Sequence, residues 1–499
     1  MDRHLEFIPQ QFVAPSARSV ARKERKQLLR TFWIGVIVLF LVAGFTVQSP
    51  SFYNILGAIL IAFTALLPSY LWCSGRALGL PIFPLFALMY LWTYSLQLIN
   101  NNASVVTYSP ENQLFAAVTV AGFLGLGTLV WFPFVKSPGK PPKLYRAFSG
   151  KKGEIFFFIA IFLNVFFDMA RLGGWLYSGT FYSLLRGVII GLNTLSIFVL
   201  SYRWGAKELA PGKSKLFLIL LITLILTNAV NIALVGPIGM TLLAILAFIA
   251  GRKKVPWTSI IIAFICFAFL HYGKGDLRVK YWWGNQAYFI QPWQYPSLYS
   301  EWIGNSLERF NAEMVNAQSS EPTKKQQSIV ERSSLVHLLL MVQKRTPIEV
   351  PYLDGSTYAL IPQTLVPRFL NSKKIASHEG TYMLNIHYGL QSRREVGTTT
   401  IGWGLLNEAY ANFGLLGCVG LAVILGAGYG QATRWSMHTP LLSSRALFSV
   451  ILFSFSFQVE FTAAVYVSAL FQSAACLWGI SFIFMKVCRT NRSQAFMSG

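Results

Sequence analysis

The sequence predicts an all-α polytopic membrane protein with about twelve transmembrane helices and one large loop subdomain. The 499-residue chain is 54% hydrophobic and only 12% charged, and its mean hydropathy is +0.49. A water-soluble domain is usually about 25% charged, because its surface must stay hydrated. The composition therefore excludes a soluble protein, and the lengths of the apolar stretches predict where the chain crosses the bilayer.

Twelve apolar stretches are long enough to span, which takes about 20 residues and somewhat fewer where Lys, Arg, Trp or Tyr reach the interface. Two longer apolar runs are divided, at Gly236-Pro237 and at Glu460, because neither can remain a single span. Nine spans fall in residues 31–272 and three in residues 408–486. They are predicted near 31–47, 54–72, 80–99, 113–134, 155–171, 183–203, 216–234, 237–251, 256–272, 408–431, 444–459 and 464–486.

The positions of lysine and arginine predict the orientation. Basic residues fill the N-terminal arm 1–30, the even-numbered loops and the tail 487–499, whereas the short odd-numbered loops 48–53, 100–112 and 172–182 contain none. Cytoplasmic loops carry this excess in membrane proteins. Both termini are therefore expected in the cytoplasm, with an uncleaved first helix. The same rule accounts for most of the net charge of +23 without nucleic acid as a partner.

One hydrophilic insert, residues 273–407, is predicted outside, where long translocated segments are exempt from the charge rule. It contains fourteen Lys and Arg residues and ten Asp and Glu residues. A structureless loop of this length is improbable, so a folded subdomain with its own helices is expected. Its aromatic stretch 281–302 suits either the headgroup level or stacking on sugar rings.

The middle of the insert predicts an amphipathic helix over residues 329–347. Val336, Leu339, Leu340 and Val342 face inward in this pattern, and Pro347 closes the helix. Arg332 lies at the helix start, where the dipole disfavours a cation, so it needs an anionic partner. That partner is either Glu331 or another protein carboxylate, or a ligand.

The next segment combines a turn with a group of cations. Asp354-Gly355 marks a turn, and Pro362 and Pro367 are expected to hold the chain extended. Arg368, Lys373 and Lys374 follow within seven residues. Arginine binds phosphate with a planar fork of donors, so clustered cations at the outer membrane surface favour a lipid-linked phosphate as ligand.

Candidates for proton transfer follow this segment. His378 and His387 have the residue type whose ordinary pKa suits a general base. Arg393 and Arg394 add two further cations before the tenth span, each with a solvated face as the alternative interpretation. Glu408 begins that span, and a carboxylate at the edge of the hydrocarbon is a functional candidate unless it simply pairs with the helix dipole.

The order of these features resembles the O-antigen polymerase (Wzy-like) family of oligosaccharide repeat unit polymerases. The resemblance is in the many-spanned body, the single long outer loop late in the chain, the segment VPRFLNSKK and the segment TTTIGWGLLNEAYANFGLLG entering the next span. The topology covers the whole chain, and the residue-level similarity covers roughly 330 to 420. In the commoner pattern a proline follows the lysine, whereas Ile375 follows Lys374 here.

This resemblance implies a GT-C-like polymerase or ligase architecture in the bacterial inner membrane, with the insert in the periplasm. It implies transfer of a glycan from undecaprenyl diphosphate to the sugar hydroxyl of another lipid-linked repeat unit, without metal or other cofactor. A polysaccharide chain-length regulator is a possible partner. The diphosphate would be bound by Arg332, Arg368 and Lys374, with Arg278 and Arg394 as weaker candidates. Glu408 is the first choice for the base, followed by His378 and His387.

Two alternatives remain open. An O-antigen ligase would use the same chemistry with a different acceptor. A lipid-linked oligosaccharide flippase or other transporter would also need cations in the membrane, although paired halves or broken helices at matching positions, which are typical of transporters, are not evident in the sequence.

Overall fold

The computed structural model describes residues 22–48, 51–148, 150–176, 180–252, 254–282, 289–316, 333–366, 370–371, 374–397 and 400–489. Within these ranges the chain is an all-α polytopic membrane protein, and eleven helices are long and apolar enough to cross a membrane. The predicted fold class is confirmed. The eleventh predicted stretch, 444–459, forms a helix of only 12 residues, Ser444–Phe455, which is shorter than the roughly 20 residues that a span requires.

The described helices and strands follow in chain order. They are α1 (Arg22–Thr46), α2 (Phe52–Cys73), α3 (Ile82–Ile99), α4 (Pro110–Val135), β1 (Leu144–Ala147), α5 (Gly150–Leu172), α6 (Thr180–Gly205), α7 (Pro211–Ala229), α8 (Val235–Arg252), α9 (Trp257–Trp282), α10 (Tyr295–Asn316), α11 (Val336–Arg345), α12 (Ser356–Ala359), α13 (Ile361–Leu365), α14 (Glu379–His387), α15 (Leu405–Ser436), α16 (Ser444–Phe455), α17 (Ala463–Phe484) and β2 (Lys486–Arg489).

The chain divides into two compact units. The first contains Met1–Phe148 and Gln327–Gly499, and the second contains Ser149–Gln326. The predicted insert 273–407 is therefore shared between the units. Its first part continues α9 to Trp282 and returns as α10, where the Trp302 indole donates a 2.7 Å hydrogen bond to the Leu270 carbonyl. Part of the aromatic stretch thus forms the core of the second unit.

Close packing of α15 on α4 organises the first unit. A β-carbon at Gly426 would lie 2.6 Å from the Gly127 carbonyl oxygen, so only glycine permits this approach. Three closely spaced glycines earlier in α15, Gly414, Gly417 and Gly420, are also of the type that permits close helix packing. Gly420 instead has open space around it.

Short connections gather one end of the first unit into a layer that we call the basic end. It comprises residues 74–81, 136–148, 434–445 and 485–489. Strand β1 pairs antiparallel with β2, Ala147 bridges to Ser443, and the Leu78 amide donates to the Val135 carbonyl. The four segments contain nine Lys and Arg residues and no Asp or Glu. The opposite end of this unit carries helices α11 to α14.

The second unit corrects one predicted boundary. The run predicted to divide at Gly236-Pro237 divides instead between α7 and α8, where Ile232 has a positive φ of 56°. Pro237 lies in the first turn of α8, where no intrahelical partner is needed for a backbone N–H, so proline starts this helix and does not break it.

Helices α6 and α8 approach each other through two glycines. A β-carbon at Gly205 would lie 2.3 Å from the Phe248 carbonyl oxygen, and one at Gly251 would lie 2.2 Å from the Tyr202 carbonyl oxygen. Both obstacles are backbone atoms, which cannot rotate away as a side chain can.

We expect Gly251→Ala to destabilise the second unit by about 1–3 kcal/mol, the usual cost of overpacking, because α6 and α8 must separate. The measurement is the thermal midpoint of the detergent-solubilised protein. Gly212→Ala is the matched control, since open space surrounds Gly212 in α7. Equal midpoints for both variants would show that the two helices tolerate separation.

Candidate functional site

The carboxyl group of Glu408 lies fully buried in the first turns of α15, with 0% of the residue exposed. Its Oε2 accepts a 2.5 Å hydrogen bond from the backbone N–H of Ala463, the first residue of α17. The side chain of Thr357 adds a weaker polar contact, and Oε1 makes no hydrogen bond of normal geometry to any described residue. Glu408 therefore joins the beginnings of two helices.

A short segment, residues 351–357, lies along the start of α15, and we call it the docking segment. The Leu353 amide donates to the Ala411 carbonyl at 3.1 Å, and the Asp354 amide donates to the Asn412 carbonyl at 3.2 Å. The Asn412 side chain accepts from the Gly355 amide and donates to the Thr357 hydroxyl at 2.9 Å. These bonds fasten the docking segment to the first turns of α15, the helix that carries Glu408.

The turn predicted at Asp354-Gly355 is confirmed, with φ angles of 46° and 85°. The extended conformation predicted around Pro362 is wrong. Pro362 instead lies in the first turn of α13, where its fixed φ suits a helix start. The Ser468 hydroxyl of α17 donates to the Thr364 hydroxyl of α13 at 2.7 Å, which holds this short helix against α17.

Helix α15 is broken at Gly414, whose φ of 59° and ψ of −142° are not helical. A β-carbon at this position would lie 2.9 Å from the Tyr352 hydroxyl oxygen of the docking segment. Glycine tolerates a positive φ because it has no β-carbon. The break separates the polar start of α15, with Asn407, Glu408 and Asn412, from its apolar remainder.

His387, at the end of α14, contacts the first residue of the docking segment. Its Nε2 lies 2.9 Å from the Pro351 carbonyl oxygen. A carbonyl oxygen only accepts hydrogen bonds, so Nε2 carries the hydrogen. In the neutral ring Nδ1 is then the acceptor, which is the arrangement that a general base requires.

His378 has a different environment. It is exposed at the start of α14, and its ring stacks on that of Tyr382 with 6.3 Å between the centroids. The histidine contact described at the docking segment is that of His387.

Buried amide side chains connect this region to the membrane helices. Asn407 donates to the carbonyls of Leu335 and Trp403 at 3.0 and 2.8 Å, and it accepts from the Tyr94 hydroxyl at 2.9 Å. Tyr94 belongs to a π-helical turn of α3, Leu91–Ser95, a feature often found at functional sites. The Trp403 indole donates to Asn385 of α14 at 2.6 Å.

Sequence reasoning missed these neutral residues. Asn407 and Asn412 flank Glu408 in an otherwise apolar span, and this cluster of polar residues in the first two turns was the available signal. A buried amide needs partners, so each such residue predicts a polar contact.

The predicted amphipathic helix is confirmed as α11, with Val336, Leu339, Leu340 and Val342 buried. It begins at Val336, and Arg332 lies outside the described residues. Arg345 is the last residue of the helix, and its Nη1 donates to the Tyr388 carbonyl at 2.6 Å.

The predicted diphosphate-binding cations are distributed as follows. Arg368, like Arg332, lies outside the described residues, as do its neighbours Pro367 and Lys373. Lys374 is half-buried just after that gap, and Arg394 is exposed in the turn after α14. Arg278 belongs to the second unit, where its Nε donates to the Ile232 carbonyl at 3.0 Å and its guanidinium lies 4.2 Å from the centroid of the Trp282 ring.

Burial shifts the pKa of three titratable side chains outside the membrane spans. Burial, and next the neighbouring carboxylate of Glu408, raise the pKa of Tyr358 in α12 well above its ordinary value. Burial also raises the pKa of Tyr388 and lowers the pKa of His337. The two phenols therefore stay protonated and His337 stays neutral near pH 7, so none of the three supplies a charge to this region.

Among the residues with described positions, no group of three or more His, Cys, Asp or Glu side chains could hold a metal ion. Comparisons with protein-family models, with curated proteins and with solved structures found no match for this chain. The described fold is that of a multi-pass membrane protein.

Proposed function

We propose that the protein is a polysaccharide repeat unit polymerase of the bacterial inner membrane. It transfers a glycan from undecaprenyl diphosphate to the sugar hydroxyl of another lipid-linked repeat unit, at the periplasmic face. The product is an O-antigen or an exopolysaccharide.

The observation that carries this proposal is the docking segment. Its first residue, Pro351, accepts a hydrogen bond from His387, and its last residue, Thr357, contacts the buried carboxyl group of Glu408. The same stretch of chain continues through α13 into VPRFLNSKK, which contains Arg368, Lys373 and Lys374. In the sequence, a group of cations and then a proton acceptor, His387, therefore follow the docking segment.

These are the two components that the reaction needs. The bond between the sugar and the diphosphate breaks as the acceptor hydroxyl oxygen forms a new bond to the same carbon. Negative charge accumulates on the departing diphosphate, and cations placed to meet it lower the barrier. A base removes the proton of the acceptor hydroxyl.

His387 is the better-placed base, because a base must reach within hydrogen-bonding distance of the proton that it removes. Its ring is half-exposed, whereas the docking segment and α17 enclose Glu408 completely. In this proposal Glu408 is a positioning residue that holds the docking segment and α17 together.

Charge asymmetry supports the proposed orientation. The basic end of the first unit contains nine cations and no acidic residue, as expected of the cytoplasmic side. The docking segment lies at the opposite end of the same unit, which supports a periplasmic reaction.

A second candidate, a flippase for lipid-linked oligosaccharides, is favoured by the break of α15 at Gly414. Discontinuous membrane helices often form the substrate sites of transporters. Loss of a polymerase and loss of a flippase leave different polysaccharides on the cell surface, and the experiment below distinguishes the two functions.

We expect Arg368→Ala, in a strain whose own copy of the gene is deleted, to leave single-repeat caps on lipid A in place of long polymer. The cation that stabilises the leaving diphosphate would be lost, while lipid-linked units would still reach the periplasm. The measurement is a gel of surface polysaccharide. Arg393→Ala is the control, since Arg393 is exposed in the same insert. Normal polymer would remove Arg368 from the site, and loss of both polymer and caps would favour the flippase.

A further inference from the structure

A cavity of about 520 Å³ opens at the basic end of the first unit, between α15, α16 and α17. Its volume falls within the range of roughly 300–1,000 Å³ that is typical of small-molecule sites. The walls are mostly apolar and aromatic, and they include Trp435, Phe448, Leu477 and Trp478. The cavity lies at the opposite end of the unit from the docking segment, so the proposed reaction does not use it.

Arg146 of β1 supplies the cation of this cavity. Its Nη1 donates to the Ser481 carbonyl at 3.1 Å, and its guanidinium lies 4.9 Å from the centroid of the Phe482 ring. These contacts hold the side chain at the cavity wall. A guanidinium has five N–H donors, and the described residues accept hydrogen bonds only from Nη1. Nε and Nη2 are therefore available to a ligand, in the planar geometry that suits a phosphate.

The surroundings favour an anion attached to an apolar group. The guanidinium of Arg445 lies 5.1 Å from the centroid of the Trp435 ring, close to the same cavity. The basic end contains no acidic residue in its described segments to compete for a ligand. Trp435 and Trp478 are 43% and 73% exposed, which is the usual situation of tryptophan at the headgroup level of a bilayer.

We propose that this cavity binds one anionic glycerophospholipid of the adjoining leaflet. Its phosphodiester accepts hydrogen bonds from Arg146, and one acyl chain lies along the apolar wall formed by Leu477, Trp478 and Phe482. Inorganic phosphate would leave this apolar wall unused. A zwitterionic lipid would bring its own cation toward Arg146 and Arg445, which repel it.

The test uses the purified full-length protein in detergent, with phosphatidylglycerol and phosphatidylcholine as probes and native mass spectrometry to count retained lipid. We expect phosphatidylglycerol to bind at least about tenfold more tightly, and Arg146→Gln to remove about tenfold of that affinity, as for loss of a hydrogen bond to a charged group. Lys140→Gln is the matched control, because Lys140 is an exposed cation of the basic end that does not line the cavity.

A second variant tests the apolar wall without changing the charge. Ala474 lines the cavity, so Ala474→Phe should fill it and lower phosphatidylglycerol retention, and this variant decides the matter if Arg146→Gln fails to fold. Equal retention of the two lipids, or equal loss in Lys140→Gln and Arg146→Gln, would overturn the proposal. Displacement of the lipid by millimolar inorganic phosphate alone would show that the site recognises free phosphate.

Discussion

Glutamine in place of His387 is expected to lower the rate of glycan transfer by about 10²- to 10⁴-fold, the usual contribution of a general base. A glutamine amide can still donate to the Pro351 carbonyl, so the contact that holds α14 against the docking segment is retained. It has no ring nitrogen to accept the proton of a sugar hydroxyl. The measurement is the rate of chain extension on purified lipid-linked repeat units, together with the affinity for the donor, which should stay unchanged.

His378→Gln is the matched control for this variant. His378 is exposed at the opposite end of the same helix, and we expect its replacement to leave chain extension close to the original rate. A fully active His387→Gln variant would assign His387 to positioning alone. An inactive His378→Gln variant would transfer the role of base to His378.

Leucine in place of Glu408 is expected to destabilise the first unit by about 1–3 kcal/mol, because the backbone N–H of Ala463 would lose its acceptor in a buried place. Thr357 of the docking segment would also lose its contact with the side chain at position 408. The total amount of polymer should therefore fall as the fraction of folded protein falls. The measurements are the thermal midpoint in detergent and the amount of surface polymer per folded molecule.

Glu408→Gln separates positioning from catalysis at this residue. The glutamine side-chain oxygen can accept from Ala463 in place of Oε2, so we expect a stable protein that still forms polymer. A stable Glu408→Gln protein that binds the lipid-linked donor without turnover would identify Glu408 as the base, as the sequence first suggested. It would also require the docking segment to move during the reaction.

Much of the architecture was predictable because it depends on local composition. Apolar length predicted the spans. Helix α7 begins five residues before the predicted residue 216, and α9 continues ten residues beyond the predicted residue 272, to Trp282. The exception is the eleventh predicted span, because the stretch 444–459 contains a helix of only 12 residues. Apolar composition alone does not reveal where the backbone leaves the helical conformation.

The candidate site was predictable only in its residue types. Glu408, His387 and the turn at Asp354-Gly355 all stood out as polar or special residues near one end of the membrane helices. The contacts that these residues make could not be predicted, because Pro351 and His387 are 36 residues apart, and Ala463 and Glu408 are 55 residues apart. Contacts over such separations leave no periodic pattern in the chain.

The sequence by itself determined that this is a multi-pass all-α membrane protein with an uneven distribution of charge, since apolar length and charge are properties of each segment alone. Only the tertiary structure decided that the insert is shared between two units, that Glu408 is enclosed, and that Nδ1 of His387 is the acceptor nitrogen. The physical reason is that burial and hydrogen-bond direction depend on which distant atoms become neighbours, and folding of the whole unit decides this.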